Sequence, residues 1–106
     1  MPTEFANKVY AYVRTIPKGK ISTYKQVAIA IGSPNASRAV GTALKNNPYA
    51  PKVPCHRVVK SNFEIGGYLG VLQSNTKVDM LTQEGIIIID GKITSKAGYR
   101  QKVLFT

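Results

Sequence analysis

Prolines at positions 48, 51 and 54 leave the middle of this chain few ways to fold. Each ring fixes its own φ, removes an amide donor and biases the preceding residue towards extended backbone. This rigid approach leads to Cys55-His56-Arg57 and then to an apolar pair, Val58-Val59, as a buried segment would carry. Cys55 and His56 are the only cysteine and the only histidine in 106 residues, and they are adjacent. A thiolate is the strongest nucleophile among ordinary side chains, and an imidazole can take its proton directly or through one water. A stiff approach, a thiol, a base and an apolar anchor describe a presented nucleophile. They equally describe a small cysteine buried in a core beside a surface histidine. The heptapeptide Val53–Val59 alone leaves both readings open.

Composition removes several other classes. One cysteine forms no internal disulfide, which suits a reducing compartment, cytoplasmic or nuclear. One Cys with one His cannot complete a structural zinc site. No apolar run approaches membrane-spanning length, and Met1-Pro2-Thr3-Glu4 lacks the charged and apolar regions of a signal peptide. The length suits one compact domain over residues 1–106. The formal charge of +10, from 15 Lys and Arg against 5 Asp and Glu, points to a polyanionic partner, nucleic acid first. A merely solubilising basic surface is the alternative.

Thr3 caps a first helix carrying Phe5, Val9, Tyr12, Val13 and Ile16 at helical spacing, which Pro17 ends. Ile21-Ser22 reads as a brief extended link. Thr23 and Gln26 have capping-box spacing and open a short helix from Tyr24 to about Ile31, stopped by Gly32. Ser33-Pro34-Asn35 is turn chemistry with a cap, and Ala36, Ala39, Val40, Ala43 and Leu44 then predict an amphipathic helix. Its other face shows Ser37, Arg38, Gly41, Thr42 and Lys45, which is small, polar and basic without an acid. Two short helices joined by a Gly-containing turn form a helix-turn-helix, the second being the natural reader of nucleic acid. The bland fate of Arg38 and Lys45 is a solvated face.

Beyond Val59, Ser61-Asn62 and Gly66-Gly67 bracket a hairpin-like Phe63-Glu64-Ile65, and Gly66 to Gly70 form a glycine-rich loop around Tyr68. Ser74 or Asn75 caps a helix with Val78, Met80 and Leu81, closed by Gly85. Glu84 falls in its last turn, where the helix dipole disfavours an acid. Ile86 to Thr94 reads as a β-hairpin around Asp90-Gly91, packed on the last helices, and a basic tail runs from Lys96 to Thr106. The whole is α+β, mainly helical, a winged helix-turn-helix-like DNA-binding domain with short β-hairpins.

Pro54-Cys55-His56-Arg57-Val58, with Arg38-Ala39-Val40-Gly41 and Asn47-Pro48 before it and Gly67-Tyr68 and Glu84-Gly85 after it, resembles the O6-alkylguanine-DNA alkyltransferase family. The match covers about Phe5 to Gly85 and corresponds to that family's C-terminal catalytic domain, and a single domain over residues 1–106 is expected, without a separate N-terminal one. In its brevity and its Asp-Gly hairpin the chain is also similar to alkyltransferase-like proteins, which bind alkylated DNA but lack the cysteine. The resemblance implies a monomer that enters the minor groove of double-stranded DNA, flips O6-alkylguanine out and moves the alkyl group irreversibly to Cys55, with no metal or other cofactor. Flipping is what the chemistry asks for, because a thiolate cannot reach the O6-alkyl carbon in line inside a duplex.

Carried over by position, the resemblance makes Cys55 the acceptor, His56 its water-mediated base and Glu84 the acid that orients His56. Asn47 would tie the turn before the active segment, and Tyr24 would press on the target phosphate and donate to the departing guanine N3. Arg38 would fill the gap left by the flipped base, with Thr23, Ser37, Ala39, Gly41, Thr42 and Lys45 lining the DNA contact. The Val58 carbonyl would accept from the guanine amine, and Tyr68 and Leu69 would wall the pocket. Ala50 stands where better-known members often have proline, with Pro51 one place on. A lesion-recognition protein, a helix-turn-helix transcription regulator and, last, a Cys-His hydrolase are the competing readings.

Overall fold

A computed structural model of the chain describes residues 3–66 and 75–93. Helix α1, Glu4–Val13, begins where Thr3 Oγ1 accepts the Ala6 amide at 3.0 Å. It stops short of Pro17: Arg14 caps it, and Thr15 and Ile16 close tighter turns onto Tyr12 and Val13. The residue before a proline resists helical backbone, so Ile16 enters the core from outside the helix. The fully buried stripe is Ala6, Val9, Tyr10 and Val13, and the expected Phe5 and Tyr12 are partly buried at the edge of the same core. Tyr10 is buried because its hydroxyl finds a partner, donating to the Ala43 carbonyl at 2.7 Å.

Strand β1, Ser22–Thr23, leads into α2, Tyr24–Ala30. Thr23 Oγ1 caps α2 by accepting the Gln26 amide at 3.1 Å, while Gln26 Oε1 lies 3.5 Å from the Ser22 hydroxyl. The helix ends in a Schellman motif: Gly32, at φ +82, bonds back to Ile29 while Ser33 bonds back to Ala28. Helix α3, Ser37–Lys45, has Ala36 at its N-cap and no side-chain cap, contrary to the expected Ser-Pro-Asn cap. Val40, Ala43 and Leu44 are its buried face, and Ala39, counted in the apolar stripe, is exposed.

After α3 the chain passes a cis Ala50–Pro51 bond and makes a 3-10 turn at Cys55–Arg57 before β2, Val58–Val59. The expected extended link at Ser22 is in fact a sheet partner: β1 and β2 pair in parallel, Ser22 with Val58 and Thr23 with Val59. Parallel neighbours need a long crossover, and α2 and α3 supply it. Successive strand residues face opposite ways, so Val58 enters a core with α1, α2 and α3, and Val59 enters a second core with Ile21, Leu81, Ile86 and Ile93. Cys55 belongs to the first core.

Helix α4, Asn75–Gln83, ends in the same way as α2. Gly85, at φ +88, bonds to Thr82, and Ile86 bonds to Leu81. Glu84 is thereby held one residue past the helix, at its C-cap. Strands β3, Ile88–Ile89, and β4, Lys92–Ile93, are antiparallel across Asp90 and Gly91, both at positive φ as a type I′ turn requires. Phe63–Ile65 turns back on the end of β2, the Lys60 amide donating to the Glu64 carbonyl at 3.0 Å. It joins β4 through Glu64–Lys92 pairing, an Ile65 to Gly91 bond and an Ile93 to Phe63 bond. The fold is α+β and mainly helical, with the hairpin as a short wing. Tyr68, Leu69, the Ser74 cap and the tail from Lys96 lie outside the described residues.

Candidate functional site

Cys55 is 5% exposed and is set by the turn before it. Asn47, itself buried, donates from Nδ2 to the Val53 carbonyl at 2.9 Å, and its Oδ1 accepts the Tyr49 amide at 2.9 Å. Burial raises the thiol's pKa above its ordinary value, and the Asn47 side chain and the Lys77 charge oppose that rise. The resting group is a thiol in a site that already holds some support for its anion.

The next residue supplies the base. His56 Nε2 lies 2.9 Å from Glu84 Oε2 across the gap between the 3-10 turn and the end of α4. Burial pushes the Glu84 carboxyl up, but hydrogen bonds from Arg57 and His56 outweigh it and hold the acid at about 2. A carboxylate only accepts, so Nε2 carries the proton and Nδ1 is the basic nitrogen. Nδ1 is buried and has no hydrogen-bond partner among the described residues. Burial lowers the His56 pKa, with Glu84 opposing, so the imidazole is neutral near pH 7 and free to accept.

Arg57 was not singled out from sequence, yet it frames the pair. Its Nε donates to Glu84 Oε1 at 2.9 Å and its Nη2 to Oε2 at 2.8 Å, a bidentate fork. Nη1 donates to the Ile16 carbonyl at 2.8 Å, which ties the carboxylate to the end of the first helical segment. The fork answers the helix dipole that made Glu84 look misplaced. Lys77 was missed as well. It is 0% exposed, it donates from Nζ to the Val58 carbonyl at 2.7 Å, and it lies 5.8 Å from the Tyr24 ring centroid. Burial lowers it to about 8. The signal for it was its position four residues before Leu81, on the apolar side of α4. The Val58 carbonyl, expected to be free for a guanine amine, thus already accepts one donor and offers its other lone pair.

A separate surface lies on α3. Ser37, Arg38, Gly41, Thr42 and Lys45 border a cleft of about 420 Å³, together with Tyr24 on α2 and Lys60 and Ser61 beyond β2. Arg38 and Lys45 are exposed and form no ion pair among the described residues. Thr23 is buried, and its Oγ1 caps α2 at the residue before Tyr24. Ala39 is exposed on α3 but does not border the cleft. No cluster of metal-binding side chains occurs among the described residues.

These features define a helix-turn-helix domain with a cationic cleft and a buried thiol backed by a histidine–carboxylate pair. The family model for the DNA binding domain of 6-O-methylguanine DNA methyltransferase matches residues 4–86, and the chain belongs to that family. It is 41% identical over 87 residues to the methylated-DNA--protein-cysteine methyltransferase of Shigella flexneri, covering 82% of this chain and 50% of that protein. It resembles Mycobacterium tuberculosis OGT in complex with DNA at TM-score 0.74 and 40% identity, over 79% of this chain and 51% of the other. It also resembles S. pombe Atl1 in complex with damaged DNA containing O6-carboxymethylguanine, at TM-score 0.72 and 38% identity, over 81% and 80%. The chain spans about half the length of the curated relatives it matches.

Proposed function

We propose that this domain binds duplex DNA through the α3 face, takes an O6-alkylguanine out of the stack and moves its alkyl group once onto Cys55. The observation that carries this is the Cys55–His56–Glu84 array: a buried thiol next to a neutral imidazole whose other nitrogen is held by an ionised carboxylate at 2.9 Å. The thiol gives its proton to His56 Nδ1, directly or through one water, and the imidazolium is stabilised between Glu84 and the site. Cys55 Sγ attacks the alkyl carbon in line with the C–O6 bond. The S–C bond forms, the C–O6 bond breaks, and its electron pair stays on the guanine, which takes up one proton. No oxidant or reductant is needed. A thioether is not hydrolysed under these conditions, so the reaction ends with the protein consumed.

Tyr24 at the mouth of the cleft presses on the backbone of the target nucleotide, and Arg38 occupies the gap in the stack. The second reading is lesion recognition without transfer. It is favoured by the likeness to Atl1, which the chain matches over 80% of that protein's length. Intact mass after incubation with an O6-methylguanine duplex separates the two. One added methyl, mapped to Cys55, with guanine restored and no second turnover, is the expected result. Tight binding with unmodified protein overturns transfer and leaves recognition.

A further inference from the structure

We propose that Lys77 is a second nucleophile of the same pocket, and that its amine captures the aldehyde of an abasic nucleotide in duplex DNA as a reversible imine. This rests on the reading of the domain as one that draws a nucleotide out of the stack. Methyl transfer gives Lys77 no covalent part, although its amine lies among the groups that carry it out. Nζ donates to the Val58 carbonyl at 2.7 Å and stands 5.8 Å from the centre of the Tyr24 ring, and Tyr24 also borders the open cleft. Cys55 is close enough for its charge to act on both Lys77 and Tyr24. A thiol, a phenol and an amine thus cluster in one small region. A guanine held by the second lone pair of the Val58 carbonyl would set its exocyclic amine one acceptor atom away from Nζ.

Burial makes this amine reactive. Lys77 is 0% exposed, on the side of α4 that carries Leu81 into the second core, and burial lowers it to about 8. Near pH 7.5 roughly a quarter of it is neutral, against about a thousandth of a solvated lysine. Desolvated lysines of this kind form Schiff bases with carbonyl substrates. An abasic deoxyribose in its open form presents such a carbonyl, the aldehyde at C1′. That nucleotide has no base pair to lose, so it costs little to extrude. It also leaves empty the space a guanine would fill, and the sugar can sink towards Nζ.

The neutral amine adds to C1′, the carbinolamine loses water, and a C=N bond replaces C=O. No oxidant or reductant takes part, and hydrolysis returns both partners.

The test is borohydride trapping, which reduces the imine to a stable secondary amine, on the intact chain with a duplex that carries one aldehydic abasic site. A covalent protein–DNA adduct is expected, its linked peptide mapping to Lys77. Lys77→Met and Lys77→Arg should lower trapping at least about 10-fold, with the folding of each checked by circular dichroism, while Lys92→Gln on the wing should trap as wild type does. Where a Lys77 variant is unfolded, the peptide map of the wild-type adduct decides. A duplex with a tetrahydrofuran abasic analogue, which has no aldehyde, should compete for the site without being trapped. An adduct on Lys60, another lysine or the N-terminus instead of Lys77 overturns the proposal, and so does an adduct that the analogue fails to suppress. Absence of any adduct in a chain that binds duplex and accepts methyl overturns the proposal alone. A chain that neither binds duplex nor accepts methyl overturns the underlying function as well.

Discussion

Arg57 and Arg38 are the same residue under opposite physics. Arg57 is 16% exposed at its side chain, spends its donors on Glu84 and Ile16, and holds parts of the fold together. Arg38 is exposed on α3, is unpaired among the described residues and borders a cleft with Lys45. A buried guanidinium that lost its carboxylate would strand a charge in low dielectric, so its value lies in geometry. An exposed one adds little to stability and is available to an anion that arrives later. The lesson is that charge count points at a partner only after the buried, internally paired cations are set aside.

The largest effect should come from cutting the buried fork. Arg57→Ala is expected to cost about 3–5 kcal/mol in urea unfolding, whereas Arg38→Ala should stay within about 0.5 kcal/mol. Equal losses would dissolve the contrast. Lys77 offers a second cut, read through pH. Below pH 8 it is charged in both folded and unfolded chains, and the folded state bears the cost of burial. Between about 8 and 10.5 the folded chain has released a proton that the unfolded chain still holds, so stability rises with pH by about 3 kcal/mol. Subtracting the profile of Lys77→Met from that of wild type should isolate this rise; a flat difference means the amine is neutral or well solvated.

Glu84→Gln tests whether the buried cluster also serves chemistry. It should slow methyl transfer roughly 10- to 100-fold, because imidazolium beside a thiolate loses its carboxylate, and it should leave lesion binding unchanged. The stability contributed by Glu84 is present above its unfolded pKa of 4.5 and lost as pH falls towards about 2, a loss the Gln variant should not show. An unaltered pH–rate profile would leave the cluster purely structural. On the exposed side, Arg38→Ala should lower duplex repair about 10-fold while sparing the free base, which needs no flipping. Equal loss with both substrates would assign Arg38 to the pocket. The smallest effect is Lys45→Ala: a salt slope lower by about one unit and little else.

Much of the frame was legible in the residues. Thr3 and Thr23 cap helices as their positions suggested, Gly32 and Gly85 end helices at positive φ, and Asp90-Gly91 turns the wing. These are local devices whose partners lie within a few residues, and a linear reading can follow them. Tyr12 and Tyr10 both fit a helical period: Tyr12 packs at the edge of the first core as its spacing suggests, but Tyr10 is the more deeply buried tyrosine. A carbonyl on another helix, Ala43, decided which hydroxyl was buried.

The order of residues was enough to place the caps at Thr3 and Thr23, the glycine stops at Gly32 and Gly85, the rigid approach to Cys55 and the basic, acid-free face of α3. Backbone propensity, capping and charge act over short separations or as sums. Chain folding over longer separations was needed to pair Ser22 with Val58, to bring Arg57 to Glu84 and to bury Lys77 on the Val58 carbonyl. Those contacts join residues 19 to 36 positions apart, and each is made because packing two cores on opposite sides of β2 leaves a buried polar group that must find a partner.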